Sequence, residues 1–269
     1  MSGRSRARRR LQIQVGEIRH RDGLLRPEWS ARHPCAKIDQ MARTMLVTGA
    51  TGGVGAAVVR AAADRGYDVT AAGRNDVLLD RLCARTPRTS PVLLDLQHPV
   101  DLPAPLVELD RLDALVHCAG IAEVASVDET PYALWLETLT VNVAATAEIT
   151  RALLPALRRA DGHVVFINAA PGLHAVPRWS AYAASKAALR ELADSLREEE
   201  ARHGLRVTTV YPGGTATELL RKVRGQFGRP FDAADCIRPE TLASVVLTAL
   251  DLRDDAYLPE VSVLPAPRK

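Results

Sequence analysis

The chain has 269 residues, of which 47% are apolar, enough to bury a sizeable core in one or two domains. Its four cysteines (Cys35, Cys83, Cys118, Cys236) are scattered, with no CxxC pair and no metal-ligand spacing. That argues against a disulfide framework and a zinc site, and suits a reducing cytoplasm. No apolar run approaches the roughly 18 residues of a membrane span, so a soluble cytoplasmic protein with no membrane partner is expected.

The net charge of +3 conceals an asymmetry. Residues 1–40 hold ten Lys and Arg against four Asp and Glu, so the rest of the chain is net acidic. A basic arm led by Arg4, Arg6, Arg8, Arg9 and Arg10 is a feature of nucleic-acid or anionic-lipid binders and of transit peptides. With little apolar periodicity, residues 1–43 read instead as a disordered extension, and no nucleic-acid partner is expected. Met41 offers a natural start for the domain, and residues 44–269 are expected to form that one domain.

Short apolar runs then alternate with helical patterns. Strands are predicted at Met45–Thr48, Asp68–Gly73, Pro91–Leu94, Ala114–His117, His163–Asn168, Arg206–Val210 and Val261–Val263. Helices are predicted over Gly53–Arg65 and Asp76–Arg85, then after Pro131, where Pro155 should kink or break the second half. Tyr182–His203 forms the longest helical pattern, closed by Gly204, and a last helix covers Pro239–Leu250. Buried strands alternating with helices imply an α/β fold, a doubly wound, seven-stranded, mostly parallel Rossmann-type sheet with helices on both faces. Ligands of such sheets bind at the carboxyl ends of the strands.

The first strand-to-helix turn reads Thr48-Gly49-Ala50-Thr51-Gly52-Gly53-Val54-Gly55. Glycines let this chain turn sharply and bring backbone N–H groups to a pyrophosphate, beside a positive helix end. In the first turn of an alternating pattern the run points to a dinucleotide, with Gly49, Thr51, Gly53, Val54 and Gly55 against it. An acid after the second strand would favour NAD, whereas an arginine accommodates the 2′-phosphate of NADP. Here the chain reads Gly73-Arg74-Asn75, with no acid before Asp76, so NADP(H) is favoured over NAD(H) through Arg74.

Tyr182-Ala183-Ala184-Ser185-Lys186 places a phenol and an ammonium four residues apart on one helix face. A free phenol titrates at about pH 10, and a lysine within about 4–6 Å is expected to lower that by about one to three units. Tyr182 would then exchange a proton with a carbonyl or alcohol oxygen. The same spacing is common on solvated helices; the position after the fifth strand favours chemistry.

The turn, the Tyr-x-x-x-Lys pair and their order resemble the short-chain dehydrogenase/reductase family, in its single-domain branch, over about residues 44–265. The resemblance implies further roles. Asp95-Leu96 matches the family's adenine-contacting pair, and Asn142 in Val-Asn-Val matches the asparagine that holds a water near the lysine. Pro212-Gly213-Gly214-Thr215-Ala216-Thr217 matches the Pro-Gly-x-x-x-Thr segment at the nicotinamide carboxamide, through Pro212, Thr215 and Thr217. Catalysis would fall to Tyr182, Lys186 and Asn142, with Tyr182 and Lys186 also touching the cofactor. The resemblance further implies a homodimer or homotetramer built through the two long helices.

Two departures stand out. Where the family reads Asn-Asn-Ala-Gly, this chain has His117-Cys118-Ala119-Gly120. Gly120 keeps the close approach to the cofactor, and Cys118 replaces an amide there without the partners of a reactive thiol. Thirteen residues before the tyrosine, the family's substrate-orienting serine is replaced by Ala169. Losing such a donor costs roughly 10²–10³ in rate in other enzymes. Asn168, His174 and Ser180 are candidate substitutes, although Ser180 is better placed to cap the following helix. The segment after Thr217, through Leu219, Leu220, Val223 and Phe227, reads as a lid. Its Arg221, Arg224 and Arg229 suit either an anionic or polar substrate or a solvated helix face. The expected activity is NADP(H)-dependent interconversion of a carbonyl and an alcohol on a small molecule. A non-redox module, dehydratase, isomerase or cyclase is the alternative that Ala169 raises.

Overall fold

The computed structural model describes residues 42–98, 102–170, 175–252 and 255–267. The basic arm and His174 lie outside the described residues. Seven parallel strands form one sheet in the order β3-β2-β1-β4-β5-β6-β7: β1 Thr44–Thr48, β2 Asp68–Gly73, β3 Thr89–Leu93, β4 Ala114–His117, β5 His163–Ile167, β6 Arg206–Pro212 and β7 Glu260–Val263. Every residue of β1, β4 and β5 is buried. These central strands are therefore mostly apolar runs rather than alternating, as a sheet covered on both faces requires, with Thr44, Thr48, His117 and His163 as their buried polar residues.

The helices are α1 Gly53–Asp64, α2 Asp76–Cys83, α3 Ala104–Val107, α4 Tyr132–Leu139, α5 Ala145–Arg158, α6 Ser180–Glu200, α7 Glu218–Gln226 and α8 Pro239–Leu250. Small residues on α1 (Ala57, Val58, Val59, Ala62, Ala63) are buried, so that its backbone lies close to α8 and the sheet. Leu46, Leu115, Ile149, Leu153, Phe166 and Leu196 belong to the core on the α5–α6 side. A 3₁₀ turn over Ala201–His203 extends α6, and Gly204 ends it at φ +73°, the left-handed geometry that glycine adopts without strain.

The sequence and the structure part at two places. The helix runs through Pro155 to Arg158 without a break. Pro155 and the residue four before it, Arg151, are both exposed, so the missing hydrogen bond falls on the solvent side of the helix. The irregularity falls upstream instead, as a π turn over Thr140–Ala144 between α4 and α5. Ser180 is the first residue of α6 and caps nothing; its hydroxyl is buried without a partner, and Trp179 occupies the capping position. The lid segment is a regular helix, α7, capped by Thr217.

Register brings the strand ends level. Thr48 pairs with Ala72 on one side and His117 on the other, and His117 pairs with Phe166. The chain winds outward through β2 and β3, then returns to β4 on the other side of β1. Loops therefore diverge between β1 and β4, and the crevice opens at that reversal.

Candidate active site

A cleft of about 1320 Å³ lies along the carboxyl ends of the strands, lined from the β1–α1 turn to α7. Its first wall is backbone. Gly49 has φ +64°, and a side chain there would come within 2.7 Å of the Ala119 backbone. Gly55 is tighter still, since a Cβ would meet the Gly49 carbonyl oxygen at 2.2 Å. The α1 N-terminus has no side-chain cap and no acid in its first turn. Its leading N–H groups are left to an external acceptor, which suits an anion. Thr51, Gly53 and Val54 line the cleft here, and a methyl on Gly53 would touch Thr217 at 2.7 Å.

At the end of β2, Arg74 is exposed on the cleft wall and makes no side-chain hydrogen bond or ion pair among the described residues. Asn75 accepts the Leu78 N–H at 2.9 Å to cap α2, and Asp76 accepts its neighbour's N–H at 2.8 Å. Both polar groups after Arg74 are thus spent on the helix. After β3, Asp95 and Leu96 line the cleft, and Asp95 accepts the Gln97 N–H at 3.0 Å. Cys118 and Gly120 follow β4. Burial pushes the Cys118 thiol up to about 12, so it stays protonated.

Tyr182 and Lys186 project from α6 into the cleft. The Lys186 Nζ donates to the Ile167 carbonyl at 3.0 Å and lies 5.8 Å from the Tyr182 ring centre. The expected lowering of the tyrosine does not appear. Burial pushes Tyr182 up to about 12 and Lys186 down to about 8. Both charged forms lose solvation, and the ammonium faces the Ile167 carbonyl rather than the phenol.

Asn142 sits in the π turn and uses its whole amide. Its Oδ1 accepts the Ile121 N–H at 2.9 Å, while Nδ2 donates to the Ile121 carbonyl and the Ser185 hydroxyl, each at 2.9 Å. A Cβ on Gly120 would stand 3.3 Å from Asn142 Oδ1 and 3.9 Å from Lys186 Nζ, so these three residues converge. Pro212 ends β6, Thr215 donates to the Gly213 carbonyl at 3.0 Å, and Thr217 caps α7 through Leu220 N–H at 3.2 Å.

Ala169 lines the cleft without a hydroxyl. Asn168 also lines the cleft; its Nδ2 donates one hydrogen to the Lys186 carbonyl at 3.2 Å and its Oδ1 accepts the Ala169 N–H at 2.9 Å, which leaves one amide hydrogen uncommitted.

Sequence reasoning missed several contributors. Trp179 stacks on Tyr182 with centroids 4.4 Å apart and meets the edge of Phe227. Ser185 donates to the Tyr182 carbonyl at 2.7 Å and receives Asn142. Glu123, in the loop after β4, accepts from Lys222 and from Gln226 Nε2 at 2.8 Å, fastening α7 across the cleft. Only Ser185 carried a signal, its place within the Tyr-Lys motif.

Residues 43–227 match the family model described as short chain dehydrogenase. An uncharacterized short-chain type dehydrogenase/reductase of Sinorhizobium fredii is 31% identical over 228 residues, covering 82% of this chain and 90% of its own. Among solved structures, a short-chain dehydrogenase from Streptomyces avermitilis aligns with TM-score 0.72 at 29% identity, covering 82% of this chain and 88% of its own. One from Burkholderia cenocepacia, solved in complex with NADP, gives TM-score 0.70 at 26% identity, over 82% and 87% of the two chains. With the glycine turn and Tyr-x-x-x-Lys in one cleft, the chain belongs to the short-chain dehydrogenase/reductase family.

Among the described residues, no helix is long and apolar enough to cross a membrane.

Proposed function

We propose that this protein is an NADP(H)-dependent oxidoreductase that interconverts a carbonyl and an alcohol on a small organic molecule. The observation that carries the reading is that Tyr182 and Lys186 share one cleft with the glycine-rich Gly49–Gly55 turn. That turn and the uncapped α1 N-terminus fit a pyrophosphate. Arg74 and the absence of a cleft-facing acid after β2 fit a 2′-phosphate, and the Burkholderia cenocepacia relative was solved with NADP. Asp95, Leu96, Cys118, Gly120, Pro212, Thr215 and Thr217 would form the remaining contacts.

A bound nicotinamide would supply or accept the hydride. Tyr182, neutral with a pKa of about 12, holds a proton for an oxygen that gains charge. Lys186, close to titration at about 8, is the cation that steadies the resulting phenolate and anchors the ribose. Asn142 fixes the loop at Ile121 beside them. Tyr132, Leu136 and Leu139 on α4 expose apolar surface, which supports a homo-oligomer through the long helices.

Ala169 favours a second reading, in which the cleft binds the dinucleotide for non-redox chemistry. The test is NADPH oxidation against a carbonyl panel with Tyr182→Phe in parallel. The oxidoreductase reading expects turnover that the variant abolishes while NADPH still binds. Binding without turnover on any carbonyl selects the second reading.

A further inference from the structure

The substrate end of the cleft has a one-sided chemistry. Leu220, Val223, Arg224 and Phe227 fall on one face of α7 and its end, at the i, i+3, i+4 and i+7 spacing, and all four line the cleft. Trp179, Ala169 and Ala170 line the wall around Tyr182. This part of the lining is largely apolar and partly aromatic; of the arginines that line it, Arg221 and Arg229 are exposed and Arg224 alone is partly buried, on the α7 face.

That cation is not neutralised. On the same helix, Arg221 pairs with Glu218 at 3.1 Å and Lys222 with Glu123. Arg224 has no carboxylate within ion-pairing distance among the described residues. One of its five donors is engaged, with Nη1 on the Pro230 carbonyl at 3.0 Å. Its Nη2 lies 3.8 Å from where a Cβ of Gly214 would stand, so the fork reaches over the loop that leaves β6. A partly exposed guanidinium with idle donors favours an anion, and its planar fork matches the two oxygens of a carboxylate.

We propose that the cleft takes a carbonyl substrate with an apolar, ring-sized body and a carboxylate, and that Arg224 binds the carboxylate. The inference rests on the oxidoreductase reading for its carbonyl but not for its anion.

The full-length protein, saturated with NADPH, is offered 4-formylbenzoate and its methyl ester, and benzoate binding is measured by calorimetry. The wild type is expected to prefer the carboxylate by roughly tenfold or more in kcat/KM, the range of a charge-assisted hydrogen bond. Arg224→Met brings that ratio toward one and weakens benzoate to a similar degree, Arg224→Lys keeps part of both, and NADPH affinity holds. Equal use of the two aldehydes by the wild type, or a preference that survives Arg224→Met, overturns the proposal. So does a loss of NADPH affinity as large as that of benzoate, which assigns the guanidinium to the cofactor phosphates. If neither aldehyde reacts, the carbonyl panel decides the oxidoreductase reading separately. Benzoate binding that depends on Arg224 then still supports the anion site, and its absence overturns it.

Discussion

The Asn142 amide donates to the Ser185 hydroxyl at 2.9 Å, and that hydroxyl donates in turn to the Tyr182 carbonyl at 2.7 Å. The π turn is thereby tied to the helix that carries the tyrosine and the lysine. Asn142 and Ser185 are both buried, so neither group has water to fall back on. Ser185→Ala leaves one amide hydrogen of Asn142 without an acceptor. The expected loss of stability is about 1–3 kcal/mol, the cost of an orphaned buried polar group. Urea denaturation of the two forms measures it, and equal midpoints would show that the link carries no energy.

Arg74→Ala should weaken NADPH by roughly ten- to a hundredfold, as expected for losing a charge-assisted hydrogen bond, and leave NADH nearly unchanged. Only NADPH carries the 2′-phosphate. Dissociation constants that shift equally for both cofactors would defeat the assignment.

Ala169→Ser should raise kcat for carbonyl reduction, by up to the roughly 10²–10³ that one such donor supplies elsewhere. Asn168 has one amide hydrogen on the Lys186 carbonyl and its oxygen on the Ala169 N–H, so only its second amide hydrogen competes for that role. Steady-state kinetics on one carbonyl substrate decide. No gain, with NADPH still bound, would mean that another donor operates or that the chemistry never used one.

Two buried histidines set an acid limit. His117 Nε2 meets Thr150 Oγ1 at 3.0 Å and His163 Nε2 meets Thr208 Oγ1 at 2.7 Å. Each threonine spends its own proton on a carbonyl, of Thr146 and Leu258 respectively, so each ring donates from Nε2 in its neutral form. His163 Nδ1 is buried without a partner. Burial lowers both groups to about 3, whereas the unfolded chain titrates at about 6.5. Below that value the unfolded state binds the extra protons, so stability is complete above about pH 6.5 and declines as pH falls toward 3. The slope is about 1.4 kcal/mol per pH unit for each ring. Denaturation midpoints between pH 8 and 4.5 should show this fall; a flat profile would refute it.

Much of the fold was legible because its strands are buried on both faces and punctuated by turns. β2, β4 and α8 fall on their expected bounds. What local pattern could not convey is partner choice between distant segments. Trp179 stacks on Tyr182, Glu123 reaches Lys222 and Gln226, and Asn142 finds Ser185 only once the loops are folded together. The Lys186 ammonium was misjudged for the same reason, since no spacing reveals that the Ile167 carbonyl competes for it. Pro155 was misread because its tolerance depends on which side of the helix faces solvent.

The close approach of Gly53 to Thr217 has a consequence for biosynthesis. A ribosome delivers the β1–α1 turn before its opposite wall, which emerges only after β6. The cleft is therefore completed only once that wall has been made, and a chain stopped before it cannot be rescued by ligand there. Until β6 arrives, β5 is an open edge of unpaired N–H and C=O groups, the form in which a nascent chain pairs with the wrong neighbour.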